Sequence, residues 1–234
     1  MELEIDSVIN KLIETALQED IGSGDATTEA TVPNSSMSNA FLNAREDLVL
    51  CGLNIAQAVF KILDSSICIE PLHYDGEKIR AGETIATIKG RTKPILTGER
   101  VALNFLQRLS GVATYTSIYV EKIKGTNAKI LDTRKTTPGL RKLEKYAVRC
   151  GGGHNHRIGL YDQILVKDNH IAALKDEKPN PIAAAVKRSR ESYPSLIVEI
   201  EADNLNQVRQ AIEAGADIVL LDNMKISQIK EAVA

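Results

Sequence analysis

The apolar positions in the first half of the chain switch between helical and strand spacing. Repeats of about 3.6 residues predict helices, and short apolar runs bounded by turn residues predict strands. The helices are expected over residues 7–20, 54–63 and 97–124, and the strands within residues 40–50, 67–69 and 84–88. This mixture predicts an N-terminal α+β domain, assigned to residues 1–108.

Two of these helices carry specific expectations. The first is expected to start at a cap formed by Asp6 or Ser7. The Gly/Ser/Asp-rich residues 19–28 that follow it predict an exposed connector. In the longest helix, Gly111 is expected to produce a bend or a division, and Gly125 to end the helix. The buried face of the first helix is predicted to consist of Val8, Leu12, Ile13, Ala16 and Leu17.

The pattern changes after Gly125. Four short apolar runs follow, and helical segments separate the later ones; one segment begins at Asn180-Pro181 and another spans about 204–214. Strands that alternate with helices indicate parallel βα units, so residues 109–234 are predicted to form a β/α barrel domain. An open doubly wound sheet is the alternative. The runs are 130–131, 164–166, 196–198 and 218–221.

Polar residues follow each of these runs, and basic residues concentrate in one stretch. Residues 132–170 contain eight Lys/Arg and four Asp/Glu, whereas the chain as a whole has a net charge of −2. In parallel β/α folds the carboxyl ends of the strands converge on one mouth. The sequence therefore predicts a site for a small anionic substrate, and its cationic members would be Arg134, Lys135, His156, Arg157 and Lys167.

Glu201 and Asp222 would lie at the same mouth and cannot bind an anion directly. A divalent cation or a ribose diol would suit them, and Mg²⁺ is commonly held by one or two carboxylates together with substrate phosphates. A zinc site at His154, His156 and Asp162 is disfavoured because no third soft ligand has suitable spacing. The sequence thus predicts a polyanionic substrate together with a magnesium-bound phosphorylated one.

Composition excludes several other classes. No apolar run is long enough for a membrane span. The near-neutral charge and the absence of tryptophan argue against a nucleic-acid binder. No glycine-rich dinucleotide motif or P-loop is found. The three scattered cysteines favour unpaired thiols in a cytoplasmic protein, with Cys150 filling space beside Gly151.

Motifs along nearly the whole chain resemble those of the quinolinate phosphoribosyltransferases, the carboxylating nicotinate-nucleotide pyrophosphorylases. The most specific are LDTRKTTP at 131–138, GGGHNHRIGL at 151–160 and LVKDNH at 165–170. Others are EDIGSGDATT at 19–28 and LLDNM at 220–224. The resemblance implies transfer of phosphoribose from phosphoribosyl pyrophosphate to quinolinate, with Mg²⁺ and with release of pyrophosphate and CO₂, as in NAD biosynthesis.

The resemblance also implies roles for individual residues. Quinolinate carboxylates would be bound by Arg134, His156, Arg157 and Lys167, with Lys135 close by. Glu201 and Asp222 would face the phosphoribosyl substrate and its Mg²⁺. The full set of implied catalytic and substrate-binding residues is Arg100, Thr133, Arg134, Lys135, His156, Arg157, Lys167, Glu201 and Asp222.

Two further expectations concern assembly and length. The family pattern implies a homodimer, or a higher oligomer of dimers, in which Arg100 reaches the partner's active site. The chain ends in a helical segment at 226–234, so the C-terminal barrel strands and their phosphate-binding loop are expected to be missing. The alternatives are a truncated, inactive dicarboxylate-binding homologue and a related phosphoribosyltransferase that does not decarboxylate its substrate.

Overall fold

The computed structural model describes residues 3–234 and divides into two compact units. The first ends at His156 and the second spans Arg157–Ala234. The expected boundary between residues 108 and 109 therefore lies inside the first unit, and it falls within a continuous helix.

The first unit combines helices with two antiparallel sheets, as predicted for an α+β region. Its helices are α1 Ser7–Ile21, α2 Ala26–Thr31, α3 Leu53–Leu63, α4 Thr92–Lys122 and α5 Arg141–Cys150. Its strands are β1 Met37–Asn43, β2 Leu48–Val49, β3 Cys68–Pro71, β4 Lys78–Ile79 and β5 Thr84–Arg91. One sheet has the order β1-β5-β3, and β2 pairs with β4.

Helix α1 confirms the predicted cap and corrects the predicted face. The Asp6 carboxylate accepts a hydrogen bond from the Ile9 backbone N–H at 3.0 Å, which satisfies one of the free N–H groups at the helix start. The buried stripe is Ile9, Ile13 and Leu17, whereas Val8 is 68% exposed. Leu12 and Ala16 are partly buried and pack against the same core, as predicted. The prediction is therefore wrong only at Val8, and Ile9 takes its place on the buried face.

The connector after α1 is shorter than expected. Gly22 ends α1 with a positive φ of 54°, and its N–H donates to the Gln18 carbonyl. The Asp25 side chain then accepts from the Thr28 N–H at 3.0 Å and starts α2. Residues 26–28 are therefore helical, because the aspartate acts as an N-cap rather than as a turn residue.

Helix α4 is continuous through Gly111, so the predicted division at this glycine does not occur. Its buried side packs against α3 in the main hydrophobic core. At Gly98 a Cβ would lie 2.8 Å from Leu63 Cδ1, so any larger residue there would require the Leu63 side chain to shift. Tertiary packing of this kind stabilises a long helix more than local propensity does.

The region between α4 and the second unit differs most from expectation. Residues 130–131 do not form a strand; Leu131 makes one isolated parallel bridge with His154. Helix α5, which was not predicted, occupies the basic segment instead. Its buried residues Leu143, Tyr146, Ala147 and Cys150 have i, i+3, i+4, i+7 spacing, so the signal was present but masked by the surrounding charges.

The second unit contains three parallel strands with intervening helices, which confirms the predicted parallel βα pattern. Its strands are β6 Ile164–Val166, β7 Val198–Ala202 and β8 Ile218–Leu221, and they lie in this order in the sheet. No helix within residues 3–234 is long and apolar enough to cross a membrane. The helices are α6 Asp168–Ala173, α7 Pro181–Ser192, α8 Leu205–Glu213 and α9 Ile226–Val233. Asn180 caps α7, and Asn204 caps α8.

Candidate active site

In the first unit, a turn at residues 132–138 carries three of the predicted site residues. Thr133 Oγ1 accepts a hydrogen bond from the Lys135 N–H at 3.0 Å, which folds the turn back on itself. Lys135 is exposed, and Arg134 is partly buried. Arg134 Nε is buried and has no hydrogen-bond partner among the described residues. Because a buried unpaired donor is costly, this guanidinium suits an anionic ligand.

Helix α5 holds this turn through Glu144. The Glu144 carboxylate accepts from Arg108 Nη2 at 2.5 Å and from the Thr137 N–H at 3.2 Å. Burial disfavours the charged form of Glu144, but the hydrogen bonds from Arg108 and Thr137 outweigh it and lower its pKa. Glu144 is therefore a structural anion that fixes the turn rather than a proton donor.

The next residue, Lys145, is only 2% exposed and forms a buried ion pair with Asp132. Its ammonium also donates to the His156 carbonyl at 2.9 Å, and Asp132 Oδ1 accepts from the His156 N–H at 2.8 Å. The Asn155 amide, oriented to satisfy both its atoms, donates to Asp132 Oδ2 at 3.2 Å. The loop that carries His156 is thus bound on both sides to a buried charge pair.

The structure does not assemble His154, His156 and Asp162 as metal ligands. The Asp162 carboxylate accepts from the Ile158 and Gly159 N–H groups at 2.7 and 2.8 Å, so it organises the turn at residues 158–162. Within residues 3–234, the only three-ligand group compatible with a metal is Cys51, Asp75 and Cys150.

The Cys51, Asp75 and Cys150 cluster lies in the first unit. The Asp75 carboxylate there accepts from the Gly52 and Leu53 N–H groups, which caps α3, and from the Tyr146 hydroxyl at 2.9 Å. A hydrogen bond with Cys150 and burial raise the pKa of the Cys51 thiol. Cys150 is buried, and the expected space-filling role beside Gly151 suits its position. At Gly151 a Cβ would lie 2.3 Å from the Ala113 carbonyl oxygen.

In the second unit, three predicted residues stand at the carboxyl ends of the parallel strands. Lys167 follows β6, Glu201 is near the end of β7, and Asp222 follows β8. The register pairs Val166 with Ile200 and Ala202 with Leu221, so these ends lie at one edge of the sheet. Lys167 Nζ lies 4.0 Å from Glu201 Oε2. Asp222 accepts from the Asn223 amide at 2.8 Å.

Arg157 also belongs to the second unit and is 9% exposed. Its Nη1 lies 3.4 Å from the Gln163 carbonyl oxygen. The Gln163 side chain donates to the buried Glu199 carboxylate at 2.6 Å. Sequence reasoning did not single out Gln163, which connects the Arg157 turn to β7. Arg100, the remaining predicted residue, lies on an exposed position of α4.

Models of known protein families match two successive segments of the chain. Residues 25–110 match the family model for the quinolinate phosphoribosyl transferase N-terminal domain, and residues 112–234 match the model for the C-terminal domain. The chain belongs to the quinolinate phosphoribosyltransferase family. Among curated relatives, it is 43% identical to a probable carboxylating nicotinate-nucleotide pyrophosphorylase of Bacillus subtilis, over 92% of this chain and 73% of the relative.

Another relative and two solved structures extend this family assignment. The carboxylating nicotinate-nucleotide pyrophosphorylase of Mycobacterium leprae is 39% identical over 94% of this chain and 77% of its own length. The nicotinate-nucleotide pyrophosphorylase structure from Francisella tularensis has a TM-score of 0.91 at 43% identity, covering 99% of this chain and 80% of the other. NadC from Streptococcus pyogenes has a TM-score of 0.94 at 41% identity, covering 100% and 81%. The family's fold is therefore that of this chain.

Proposed function

We propose that this protein transfers phosphoribose from phosphoribosyl pyrophosphate to quinolinate and decarboxylates the product, giving nicotinate mononucleotide, pyrophosphate and CO₂. The observation that carries this proposal is the placement of Lys167, Glu201 and Asp222 at the ends of successive parallel strands. One cation and two carboxylates at the carboxyl ends of parallel strands suit a substrate that has anionic groups and a bound divalent cation. Membership of the family supports the specific reaction.

The chemistry needs electrostatics and positioning more than a reactive side chain. The pyridine nitrogen attacks the ribose C1′ as the C1′–O bond to pyrophosphate breaks and its electron pair leaves with pyrophosphate. The bond from the ring to the 2-carboxyl group then breaks to release CO₂. The electron pair stays on the ring carbon, stabilised by the positive ring nitrogen, until that carbon takes a proton. Orientation of the two substrates is therefore the main contribution of the protein.

Each cationic residue has a proposed role in this scheme. Arg134 and His156, and likewise Arg157 and Lys167, are proposed to bind the quinolinate carboxylates, with Thr133 and Lys135 nearby. The buried, unpaired Nε of Arg134 supports this role because an anion would satisfy it. Arginine forks match carboxylate geometry, and partly buried cations interact with anions more strongly than exposed ones do.

The two carboxylates are proposed to serve the phosphoribosyl half of the reaction. Glu201 and Asp222 provide hard oxygen ligands, which fit Mg²⁺ held by one or two carboxylates and substrate phosphates. When bound, Mg²⁺ would neutralise charge on the departing pyrophosphate. The same carboxylates would stabilise the positive charge that develops on the ribose as pyrophosphate leaves. Lys167, 4.0 Å from Glu201, would offset their mutual repulsion.

Two further proposals concern the oligomeric state and the cellular compartment of the protein. We propose a homodimer in which Arg100, exposed on α4, reaches the partner's active site. The three cysteines are unpaired, which supports a reducing compartment such as the cytoplasm. Sedimentation of the wild type, combined with mixing of Arg100→Ala and Lys167→Ala variants, tests the shared site. Partial recovery of activity in mixed dimers is expected, and no recovery would argue against sharing.

The proposed reaction is tested by incubating the protein with phosphoribosyl pyrophosphate, Mg²⁺ and either quinolinate or nicotinate. We expect nicotinate mononucleotide in the quinolinate reaction, with one CO₂ and one pyrophosphate per product. Turnover of nicotinate with none of quinolinate would favour a non-decarboxylating phosphoribosyltransferase. Quinolinate binding by calorimetry without any turnover would favour a dicarboxylate-binding protein.

A further inference from the structure

Asp132 and Lys145 in the first unit are almost completely buried, which is unusual for charged side chains. The side chain of Lys145 is 3% exposed and that of Asp132 is 7% exposed. Removing two charges from water is expensive, and a buried ion pair is often no more stabilising than apolar residues of the same size. Stability is therefore a weak reason for this pair to occupy the interior.

The contacts of the pair concentrate on one residue. Asp132 Oδ1 accepts from the His156 N–H at 2.8 Å, and Lys145 Nζ donates to the His156 carbonyl at 2.9 Å. Both backbone polar groups of His156 are thus fixed by one ion pair. The neighbouring Asn155 amide donates to the other Asp132 oxygen and to the Lys145 carbonyl, at 3.2 and 3.0 Å. The pair therefore restrains His156 from the amide side and from the carbonyl side.

The backbone that precedes His156 is rich in glycine. His156 follows Gly151-Gly152-Gly153, and glycine residues have more conformational freedom than any other residue. Gly152 has a φ of 84°, which other residues rarely adopt. The isolated bridge between Leu131 and His154 is the only strand-like pairing in this described segment. Backbone hydrogen bonds hold residues 151–154, and the Asp132–Lys145 pair extends this support to the N–H and carbonyl groups of His156.

We propose that Asp132 and Lys145 are positioning residues that hold the backbone of His156, and through it the imidazole, in place for a substrate carboxylate. This inference rests on the proposed function in that it takes quinolinate as the ligand of His156. It assigns roles to two residues outside the substrate-binding set. A histidine anchored in this way would bind a rigid planar diacid without losing loop entropy on each binding event.

The test uses the double variant Asp132→Asn/Lys145→Met in the full chain. Replacing both charges avoids an unpaired buried charge, so the variant is expected to fold. Its matched control is Lys142→Met, which removes a half-exposed lysine from the same helix. Amide hydrogen exchange is measured for the loop at 151–157, quinolinate affinity is measured by calorimetry, and KM is measured for phosphoribosyl pyrophosphate.

We expect exchange at the His156 amide to increase by about ten-fold or more and quinolinate affinity to fall by about ten-fold. The KM for phosphoribosyl pyrophosphate should stay within about two-fold, and the control should match the wild type in all three measurements. Unchanged exchange in the double variant would overturn the inference. Equal losses for both substrates would also overturn it, because they indicate a purely structural pair.

The wild type separates this inference from the proposed function. If the wild type binds quinolinate but does not turn it over, the proposed reaction fails while the positioning role is still decided by affinity and exchange. If the wild type does not bind quinolinate, both fail. If it turns over and the double variant has unchanged affinity, only the positioning role fails.

Discussion

The loop around His156 and the strand ends at Lys167, Glu201 and Asp222 differ in how deeply their charged groups are buried. Around His156 the supporting charges are interior, with side chains 3% and 7% exposed and direct hydrogen bonds to the backbone. At the strand ends, Lys167 is 46% exposed and approaches Glu201 only to 4.0 Å. The charges of the first arrangement are buried and hydrogen-bonded to the backbone, whereas the Lys167–Glu201 pair of the second is more exposed and more widely spaced.

This difference matches the chemistry proposed for each region. Quinolinate is small, flat and rigid, so a preorganised loop can bind it at low entropic cost. Phosphoribosyl pyrophosphate arrives with Mg²⁺, whose ligands include waters and substrate oxygens. Carboxylates that are not committed to tight partners can adjust to that ion. The comparison predicts that some mutations will mainly lower the stability of the protein, whereas others will mainly reduce substrate binding or turnover.

The largest effect is expected from Lys145→Ala. This change leaves Asp132 as an uncompensated buried charge, which should lower the free energy of unfolding by about 3–5 kcal/mol. Chemical denaturation measures this loss, and Lys142→Ala on the same helix should lose much less. A Lys145→Ala protein as stable as the wild type would show that the interior pair is not rigidly held.

Arg157→Ala should reduce substrate binding. Arg157 is buried, and loss of a charge-assisted partner for a carboxylate costs about 1.5–3 kcal/mol, or about 10- to 100-fold in quinolinate affinity. Calorimetry measures the affinity. Arg188→Ala, which removes an exposed arginine paired with Glu177, is the matched control. Equal quinolinate affinity in the Arg157→Ala and wild-type proteins would remove Arg157 from the site.

Lys167→Ala should reduce turnover strongly and stability only slightly, unlike Lys145→Ala, whose main effect is on stability. Because its pair with Glu201 is half exposed, the loss of stability should stay below about 1 kcal/mol. Turnover should nevertheless fall by about 100-fold or more, since transition-state charge loses a positioned cation. Denaturation and steady-state kinetics on the same sample test both halves. A large stability loss with normal turnover would contradict the contrast between the regions.

The smallest effect concerns pH. The pKa of Glu144 is lower in the folded protein than its ordinary value of 4.5, so its contribution to stability is present above that value and is lost as pH falls through the folded pKa. In Glu144→Gln this loss is absent. The stability difference between wild type and Glu144→Gln should therefore shrink as pH drops below 4.5, measured by thermal unfolding. A constant difference would exclude ionised Glu144 as the anchor of the 132–138 turn.

The sequence predicted most of the elements because their signals are local. Asp6 and Asn180 cap helices where expected, and the three later apolar runs each contain or overlap a strand. The parallel order of those strands followed from the alternation with helices. These features depend on a few adjacent residues, and tertiary contacts do not override them.

The side-chain contacts that hold the candidate site residues in place could not be predicted in the same way. Asp132 and Lys145 are 13 residues apart, and Gln163 and Glu199 are 36 apart, so no sequence pattern pairs them. Lys145 is one of the eight basic residues at 132–170, whereas the structure shows that it is the buried counterion of Asp132. Its helix was not predicted because charged residues, including the buried Glu144 and Lys145, surround the apolar stripe and mask its helical spacing. Charge counts predict an anion site, but they do not predict which charges would face the anion.

The proposed decarboxylating transfer is tested most directly by quinolinate labelled in one carboxyl group at a time, supplied with phosphoribosyl pyrophosphate and Mg²⁺. Label in the 2-carboxyl group should appear as CO₂ only when phosphoribosyl pyrophosphate is present, because the ring accepts electrons only after its nitrogen is quaternised. Label in the 3-carboxyl group should remain in the nucleotide. Retention of the 2-carboxyl label in the product, or CO₂ release without phosphoribosyl pyrophosphate, would contradict the account.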